Sequence, residues 1–505
     1  MRTGLIYFLL IVVALSACKV GPHYSRPTVV DNSWAWKNQV VRDTLLPNQG
    51  NASKMVIPDP AAPTNSKDTF KLDTQWWHMF EDEVLTDLIQ KAFANNPSLN
   101  TAAYRIMESR GLLNTAKANF YPIITIDPSA NKNLLSGDRP SQVSSNKLPV
   151  LTLTTITLPL DMSYELDVWG KFRRGVESSK ATMLASVADQ QVIKLGLASD
   201  VASNYFNLCL IDNQIQLYAD ALKLRYENLN LTQSQYAAGI TTKLDVVQAE
   251  IEAATVEAQI IDARRSRALA ENAIAVLCGI PAMNLQIPTH QGLPIVPFIP
   301  LEVPSDLLER RPDIIEAEQQ IVSANAQIGV AKAAFFPTVK ISAASYGFLS
   351  STFDNLFATQ SQTWIGGVGI SIPLFTGGRN IAQRDVAEAR LKESESIYKQ
   401  VVQNAFREVQ DALANIEYRA QQSDVQQRAL VSAHSSADMS KELYKKGLTT
   451  YINVIVADRT VLDAETTYIG ITGQRLLYSI SLIKALGGGW DGAALKEESR
   501  KAQQK

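Results

Sequence analysis

The chain has 505 residues, 46% apolar and 19% charged, with a formal net charge of −2. Its longest unbroken apolar run, Leu5–Leu15, falls well short of the roughly 20 residues that a membrane-spanning helix requires, which excludes a bundle of such helices. No Lys/Arg block supplies the phosphate neutralisation that nucleic-acid binding needs, and three cysteines with four histidines leave little for metal or thiol chemistry.

Arg2, the apolar run and Leu15-Ser16-Ala17-Cys18 are the basic region, apolar region and small-residue cleavage site of a secretory signal, residues 1–17. The last four resemble the bacterial lipobox, whose cysteine becomes the acylated first residue of the mature chain. That resemblance makes Cys18 the lipidation site, against the plainer alternative of an ordinary signal with a chance cysteine. Acyl chains contribute about 0.8 kcal/mol per buried CH₂, so several of them hold a chain firmly to a bilayer. Lys19 rather than Asp follows the cysteine, which in such lipoproteins implies delivery to the outer membrane. Residues 18–75 read as an extended lipidated segment, punctuated by Pro22, Pro27, Pro47, Pro58, Pro60 and Pro63, with no packed domain expected.

An internal repeat organises the remainder. Ala116-Lys117-Ala118-Asn119-Phe120-Tyr121-Pro122 matches Ala331-Lys332-Ala333-Ala334-Phe335-Phe336-Pro337 at an offset of 215, which also carries Pro97 onto Pro312. Further on, Tyr236, Gly239, Thr241, Thr242, Val246 and Ala249 fall on Tyr444, Gly447, Thr449, Thr450, Val454 and Ala457 at an offset of 208. Two copies of one unit, residues 76–280 and 306–489, are therefore joined by a proline-rich linker or equatorial segment, 281–305, and followed by a polar C-terminal tail, 490–505. The difference between the offsets belongs to a longer loop in the first copy.

Each unit reads as helix, two strands, very long helix, tight turn and return helix, a mixed α/β class. The first helices are Ser98–Asn119 and Asp313–Ala334. Strands follow at about 121–131 and 151–165, and at about 337–349 and 363–375; in the second of these Ile156, Leu158, Leu160, Met162 and Tyr164 alternate with mostly polar residues. A piece of about ten residues suits a tilted transmembrane strand, although the alternation alone fits a soluble hairpin equally well. Leu160–Ile280 and Leu374–Lys505 contain none of the 21 prolines, so helices Lys171–Tyr236 and Asn380–Tyr444 run uninterrupted for about 95–100 Å each. Return helices Thr242–Cys278 and Thr450–Leu486, stacked on the first helices, come to about 90 Å, giving two continuous and two composite columns. The hairpin tips, 237–242 and 445–450, carry Gly239 and Gly447 at the left-handed helix stop. Thr242 with Asp245 forms a capping box in the first tip, whereas Thr450 faces Asn453 in the second.

Four strands cannot close a barrel, and open edges are not tolerated in lipid. Two copies would give eight strands around a filled interior; three would give twelve, enough to begin leaving a lumen. Here the residues carry a resemblance. Cys18-Lys19-Val20-Gly21-Pro22-His23-Tyr24-Ser25-Arg26-Pro27 resembles the lipidated start of outer-membrane efflux proteins of the OprM/NodT type. Trp76-Trp77 with Phe80, Leu85 and Leu88, then Asn96-Pro97, is similar to their entry into the first helix. The Gly-x-Thr-Thr turns at Gly239, Thr241, Thr242 and at Gly447, Thr449, Thr450 occupy their hairpin tips, where an adaptor grips. The resemblance implies a TolC-like homotrimer: a 12-stranded β-barrel among outer-membrane lipids, continuous with a 12-column periplasmic α-barrel. It also implies a periplasmic adaptor, an inner-membrane pump commonly of the RND class, and a conduit that does no chemistry and uses no cofactor, metal or nucleic acid. The family often gates its periplasmic end with acidic residues six and nine positions after the second tip glycine. Asn453 and Val456 stand there instead, which argues against a charge-ring gate. The candidate aperture is thus Asn453 and Val456, with Tyr451 as a constricting or adaptor-facing aromatic and Asp245 as the acid retained in the first unit.

Neither HExxH, Walker loop, GxSxG nor paired-Cys spacing is present, so an enzyme is not expected. Ser481-Leu482-Ile483-Lys484 fits Ser-x-x-Lys without its companion motifs. Cys209 and Cys278 fall about nine residues, or ~13 Å, out of register across the hairpin and are expected to be free thiols. Two other functions compete with drug or small-molecule efflux: a conduit of a type I protein secretion system, and a lipid-anchored periplasmic spacer. Sustained apolar heptads are not evident, which disfavours the spacer.

Overall fold

A computed structural model describes residues 19–28, 73–138, 149–292, 294, 297, 311–490 and 492–504. Cys18, the signal segment and most of the predicted extended segment lie outside the described residues. A short 3₁₀ turn, Trp76–Phe80, leads into α1 (Glu83–Asn95) and α2 (Pro97–Ala118). Strands β1 (Ile123–Ile126), β2 (Ser129–Leu135) and β3 (Leu151–Leu166) precede the long helix α3 (Lys171–Ala237) and its return, α4 (Lys243–Leu277). The second unit repeats this with α5 (Pro312–Ala333), β4 (Thr338–Ser350), β5 (Gln362–Ile365), β6 (Gly369–Ser371), α6 (Arg379–Lys445) and α7 (Tyr451–Ala485). A last helix, α8 (Ala493–Gln504), closes the chain.

The helices stand side by side as four columns in the order α2 with α4, α3, α5 with α7, α6. Each long helix of 67 residues spans about 100 Å. The composite columns are joined by a side chain at the same place in each repeat. Asn96 caps α2 by accepting from the Ser98 N–H, and its Nδ2 donates to the Leu277 carbonyl at the end of α4, 2.8 Å away. Arg311, 215 positions on, donates from Nη1 to the Ala485 carbonyl at the end of α7, 3.0 Å away. The same guanidinium reaches Asp313 at 2.6 Å and Glu408 of α6 at 2.8 Å, so the second joint also ties two columns together.

The seams between columns correct the reading that heptads are absent. Arg174, Ser178, Ala181, Ala185 and Ala188 of α3 are buried at alternating steps of four and three, and Tyr398, Val402, Ala405, Val409, Ala412 and Ile416 of α6 repeat that spacing. A period of 3.5 keeps one stripe on a neighbouring helix. In α3 the Arg, Ser and Ala content hides the stripe from an apolar search. The main core lies where α1 and the 3₁₀ turn pack on the middle of α3, with Trp76, Leu85, Ile89, Val201, Tyr205 and Phe206 all at most 2% exposed. The polar C-terminal tail forms α8 and docks: Leu495 and Ala502 pack against Leu113, Met183 and Leu184, and Glu498 pairs with Arg110 at 2.6 Å.

The strands form one antiparallel sheet in which β3 and β4 are the central pair, flanked by β1 and β2 on one side and β5 and β6 on the other. Each predicted outer strand is broken in two. Pro128, which has no N–H for the ladder, separates β1 from β2, and Gly366-Gly367 separates β5 from β6. The first outer strand runs past 131 to Leu135, and the last stops at Ser371, two residues before Pro373, instead of reaching 375.

Cys209 and Cys278 are free and fully buried. Burial pushes the Cys209 thiol up to about 12 and the Cys278 thiol up to about 11, so both stay protonated well above neutrality. At pH 8 a maleimide should leave both unmodified in the folded protein and label both after denaturation, as counted by mass spectrometry. Labelling of either at the rate of an exposed thiol would show that the core is not closed.

Candidate functional site

Two surfaces are built for contact: the faces of the sheet and the hairpin tips. Register places Ile126, Leu160, Tyr346 and Trp364 in one row across all four staves, and Thr125, Asp161, Ser345 and Ile365 in the adjacent row. Successive side chains in a strand point to opposite faces. One face therefore carries the apolar row, and the other is mixed: Thr125, Asp161 and Ser345, with Ser129 hydrogen-bonded to Thr157 at 2.8 Å, beside Ile123, Leu349 and Ile365. The apolar row is in the open: Ile126 is 60% exposed and Trp364 80%.

At the tips, Gly239 and Gly447 adopt φ of +69° and +70°, the left-handed conformation that glycine takes without Cβ strain. The N–H groups of Ile240 and Leu448 donate to the carbonyls of Gln235 and Leu443, both at 2.9 Å, closing the same C-terminal motif in each repeat. The N-caps differ. Thr242 Oγ1 accepts from the Asp245 N–H, and the Thr242 N–H donates to Asp245 Oδ2 at 3.2 Å, a complete capping box. Partial burial, the largest single influence, pushes the Asp245 carboxyl up, but hydrogen bonds from Thr241 and Thr242 together outweigh it and hold the group below its ordinary value. Thr450 makes no side-chain cap; the Asn453 amide turns instead to Thr449 Oγ1, 2.7 Å away. A neutral amide at this position donates where a carboxylate would accept. Gly239, Thr242, Gly447 and Thr450 are exposed, and Thr241 and Thr449 partly so.

The predicted aperture residues separate. Asn453 and Val456 are exposed on one face of α7. Tyr451 is only 7% exposed, and this corrects its placement as a constricting or adaptor-facing aromatic. It lies on the opposite stripe with Val454 and Ile455, 5.4 Å from the Tyr444 ring, in a small core that includes Ala249. Steps of three and four put 451, 454, 455 and 458 on that buried side.

Behind this core lies a charged cluster that the sequence reading did not find. Arg225 of α3 donates from Nη1 to Asp458 of α7 at 2.6 Å and has Nε 4.0 Å from Glu252 of α4. Lys441 of α6 reaches Asp458 at 3.0 Å, and Arg459 Nε donates to Glu252 at 2.8 Å. Arg225, Glu252 and Asp458 are all buried, so one network holds the four helices of both hairpins. Its trace in the sequence is an acid, Asp458, continuing the apolar stripe of Val454 and Ile455.

Two outcomes are expected. Thr242→Ala should cost about 1 kcal/mol of local stability, read as roughly fivefold faster hydrogen exchange at the first tip, while Thr450→Ala changes the second tip little. The contribution of Asp245 should be complete above the ordinary carboxylate range and be lost as pH falls through its lowered value. Arg225→Met should lower the denaturation midpoint, by less than the about 3–5 kcal/mol of a fully unpaired buried charge, because Lys441 still reaches Asp458 and Arg459 still reaches Glu252.

Comparison with known proteins places this geometry. The family model described as outer membrane efflux protein matches residues 88–280 and 303–488. The chain is 32% identical to the probable outer membrane lipoprotein SilC of Salmonella typhimurium, over 83% of this chain and 88% of that protein. It is 30% identical to the cation efflux system protein CusC of Escherichia coli K12, over 95% of this chain and 98% of that one. The solved structure of the outer-membrane channel OprN superposes with a TM-score of 0.82 at 25% identity, covering 94% of this chain and 100% of that one. These matches span both repeats, so the chain belongs to the outer membrane efflux protein family and is a transport protein, not an enzyme.

Proposed function

We propose that this chain is the outer-membrane component of a tripartite efflux system, a passive duct through which drugs, other small molecules or ions leave the cell after delivery by an inner-membrane pump. The observation that carries the reading is the sheet. One face carries a continuous apolar row and the other holds most of the sheet's central polar side chains, and within the chain its two flanking staves pair on one side only. In hydrocarbon an unpaired strand edge leaves several kcal/mol of backbone polarity unsatisfied per group, so the edges must meet other edges. Three copies would join β1 and β2 of one to β5 and β6 of the next, closing twelve staves with the apolar rows toward lipid. The same operation would set the α2 and α4 column against α6 of the neighbour and continue the duct as twelve columns into the periplasm.

The tips supply the second contact. Ile240 and Leu448 occupy equivalent positions and are 75% and 71% exposed; Leu244 and Ile452, also equivalent, are 64% and 44% exposed. Each tip therefore offers a pair of apolar side chains beside its Gly-x-Thr-Thr turn, suited to a periplasmic adaptor that in turn holds an RND-type pump. Cys18 would carry acyl chains into the outer membrane. The name of CusC, a cation efflux system protein, favours efflux over protein secretion, and that of SilC, a probable outer membrane lipoprotein, supports the anchor. Asn453 and Val456, on the free face of α7, line the closed aperture in this reading.

In native membranes, single cysteines at Asn453 and Val456 should crosslink between protomers on oxidation and give dimers in denaturing gels. No crosslink in a trimer shown to be non-conducting would exclude these positions from the aperture. The chain itself should run as a heat-modifiable trimer from the outer-membrane fraction; a soluble monomer after delipidation would defeat the conduit.

A further inference from the structure

Residues 19–28 lie against the junction of the two repeats as an extended strap. Arg174, in the first turn of α3, has a side chain only 1% exposed, and its guanidinium is spent on this strap. Nε donates to the Val20 carbonyl at 3.1 Å, and Nη2 donates to the Gly21 and Pro22 carbonyls at 3.2 and 2.9 Å. Nη1 faces Glu177 at 3.2 Å. The Val20 N–H donates to the Trp169 carbonyl, Lys19 pairs with Glu177, and Asn325 of α5 donates to the Pro22 carbonyl at 3.1 Å. Farther along, the Tyr24 hydroxyl donates to Glu318 at 2.9 Å, and Arg26 grips the same carboxylate with two nitrogens.

Two glycines make this seat. Gly21 has φ +109°, and a Cβ there would lie 2.6 Å from the Gly329 Cα. A Cβ on Gly329 would lie 2.8 Å from the Val20 carbonyl oxygen and 2.7 Å from the Arg174 Cγ. Glycine is a poor residue inside a helix, and its presence inside α5 is explained by the strap that crosses it.

We propose that Arg174, with Gly329, is the positioning residue of the lipid anchor: it clamps the first residues of the mature chain so that the acylated cysteine departs from the boundary between β3 and α3. Lys19 packs on Gly170, in the turn between Leu166 at the end of β3 and Lys171 at the start of α3. The residue before it is one Cα step, about 3.8 Å, away. Acyl chains attached there enter the leaflet at the periplasmic rim of the sheet rather than trailing from a free tether. This rests on the reading of Cys18 as lipidated.

The test is pulse proteolysis with proteinase K on the full chain purified in detergent micelles, with fragments identified by mass spectrometry. Wild type should be protected within residues 19–28. Gly329→Ala, which by propensity favours α5, should be cut there at least about tenfold faster, with cleavage at the hairpin tips unchanged. Arg174→Met should behave likewise; if it fails to accumulate, the Gly329→Ala comparison decides. Equal cleavage of wild type and Gly329→Ala within 19–28 overturns the clamp, even if the released N-terminal peptide carries acyl mass. Protection in wild type with an N-terminal peptide lacking acyl mass overturns the lipid anchor and leaves only a docked strap.

Discussion

Where a helix ends inside a protein, its last carbonyls have no partner in their own helix and must find one elsewhere. The column architecture depends on how this is met at two places. The Leu277 and Ala485 carbonyls stand at the ends of return helices that stop well short of the long helices beside them, and Asn96 and Arg311, at the start of the next helix in each column, supply the donors. Without those donors a composite column would expose its joint to water or leave a buried carbonyl unpaired, at a cost of about 1–3 kcal/mol. With them, two short helices act as one stave beside a helix of 67 residues. The two solutions are chemically different although the positions are equivalent: an amide suffices in the first repeat, while in the second a guanidinium also bonds Glu408 and ties the joint to the outer column.

Both layers of the molecule end at the same boundary. The sheet stops at staves paired on one side only, and the helical layer stops at the α2 and α4 column and at α6. The two layers are connected at every stave by a short turn. At the β3 to α3 turn Asp167 accepts from the Phe172 and Arg173 N–H groups and pairs with the Arg173 side chain. Trp169 stacks on Phe336 of the other repeat at 4.8 Å and donates to the Pro337 carbonyl. At this turn β3 is tied both to the helix that follows it and to the other repeat.

Much of this was legible before the structure. Proline-free length and the Gly-x-Thr-Thr turns located the four long and return helices to within about one residue, because those signals act on the backbone directly. What was hidden was hidden for physical reasons. The heptad seam of α3 is built from Arg174, Ser178 and alanines, which carry little hydropathy signal. Outer strands were misread at their ends because Pro128 and the Gly366-Gly367 pair interrupt a ladder without ending the stave. The polar tail gave no sign that it docks as α8 through Leu495, Ala502 and the Glu498–Arg110 pair. Tyr451, Arg225 and Asp458 required knowing which stripe of each helix meets a neighbour. Arg174 resembled any cation in the run Lys171-Phe172-Arg173-Arg174, since nothing in that run shows that the chain start, some 150 residues earlier, lies on it.

The two tips began as copies and no longer match. One holds its Thr with a carboxylate; the other has replaced the acid by Asn453 and left Thr450 without a side-chain bond. A duplication by itself presents a binding partner with two equivalent sockets, and a partner with identical arms could then seat either arm in either socket. The two tips differ in more than that cap: Ala237-Ala238 stand against Lys445-Lys446, and Lys243 against Tyr451. For a partner that docks at the tips as proposed, quasi-equivalence of the repeats would become true inequivalence, and its arms would not be interchangeable.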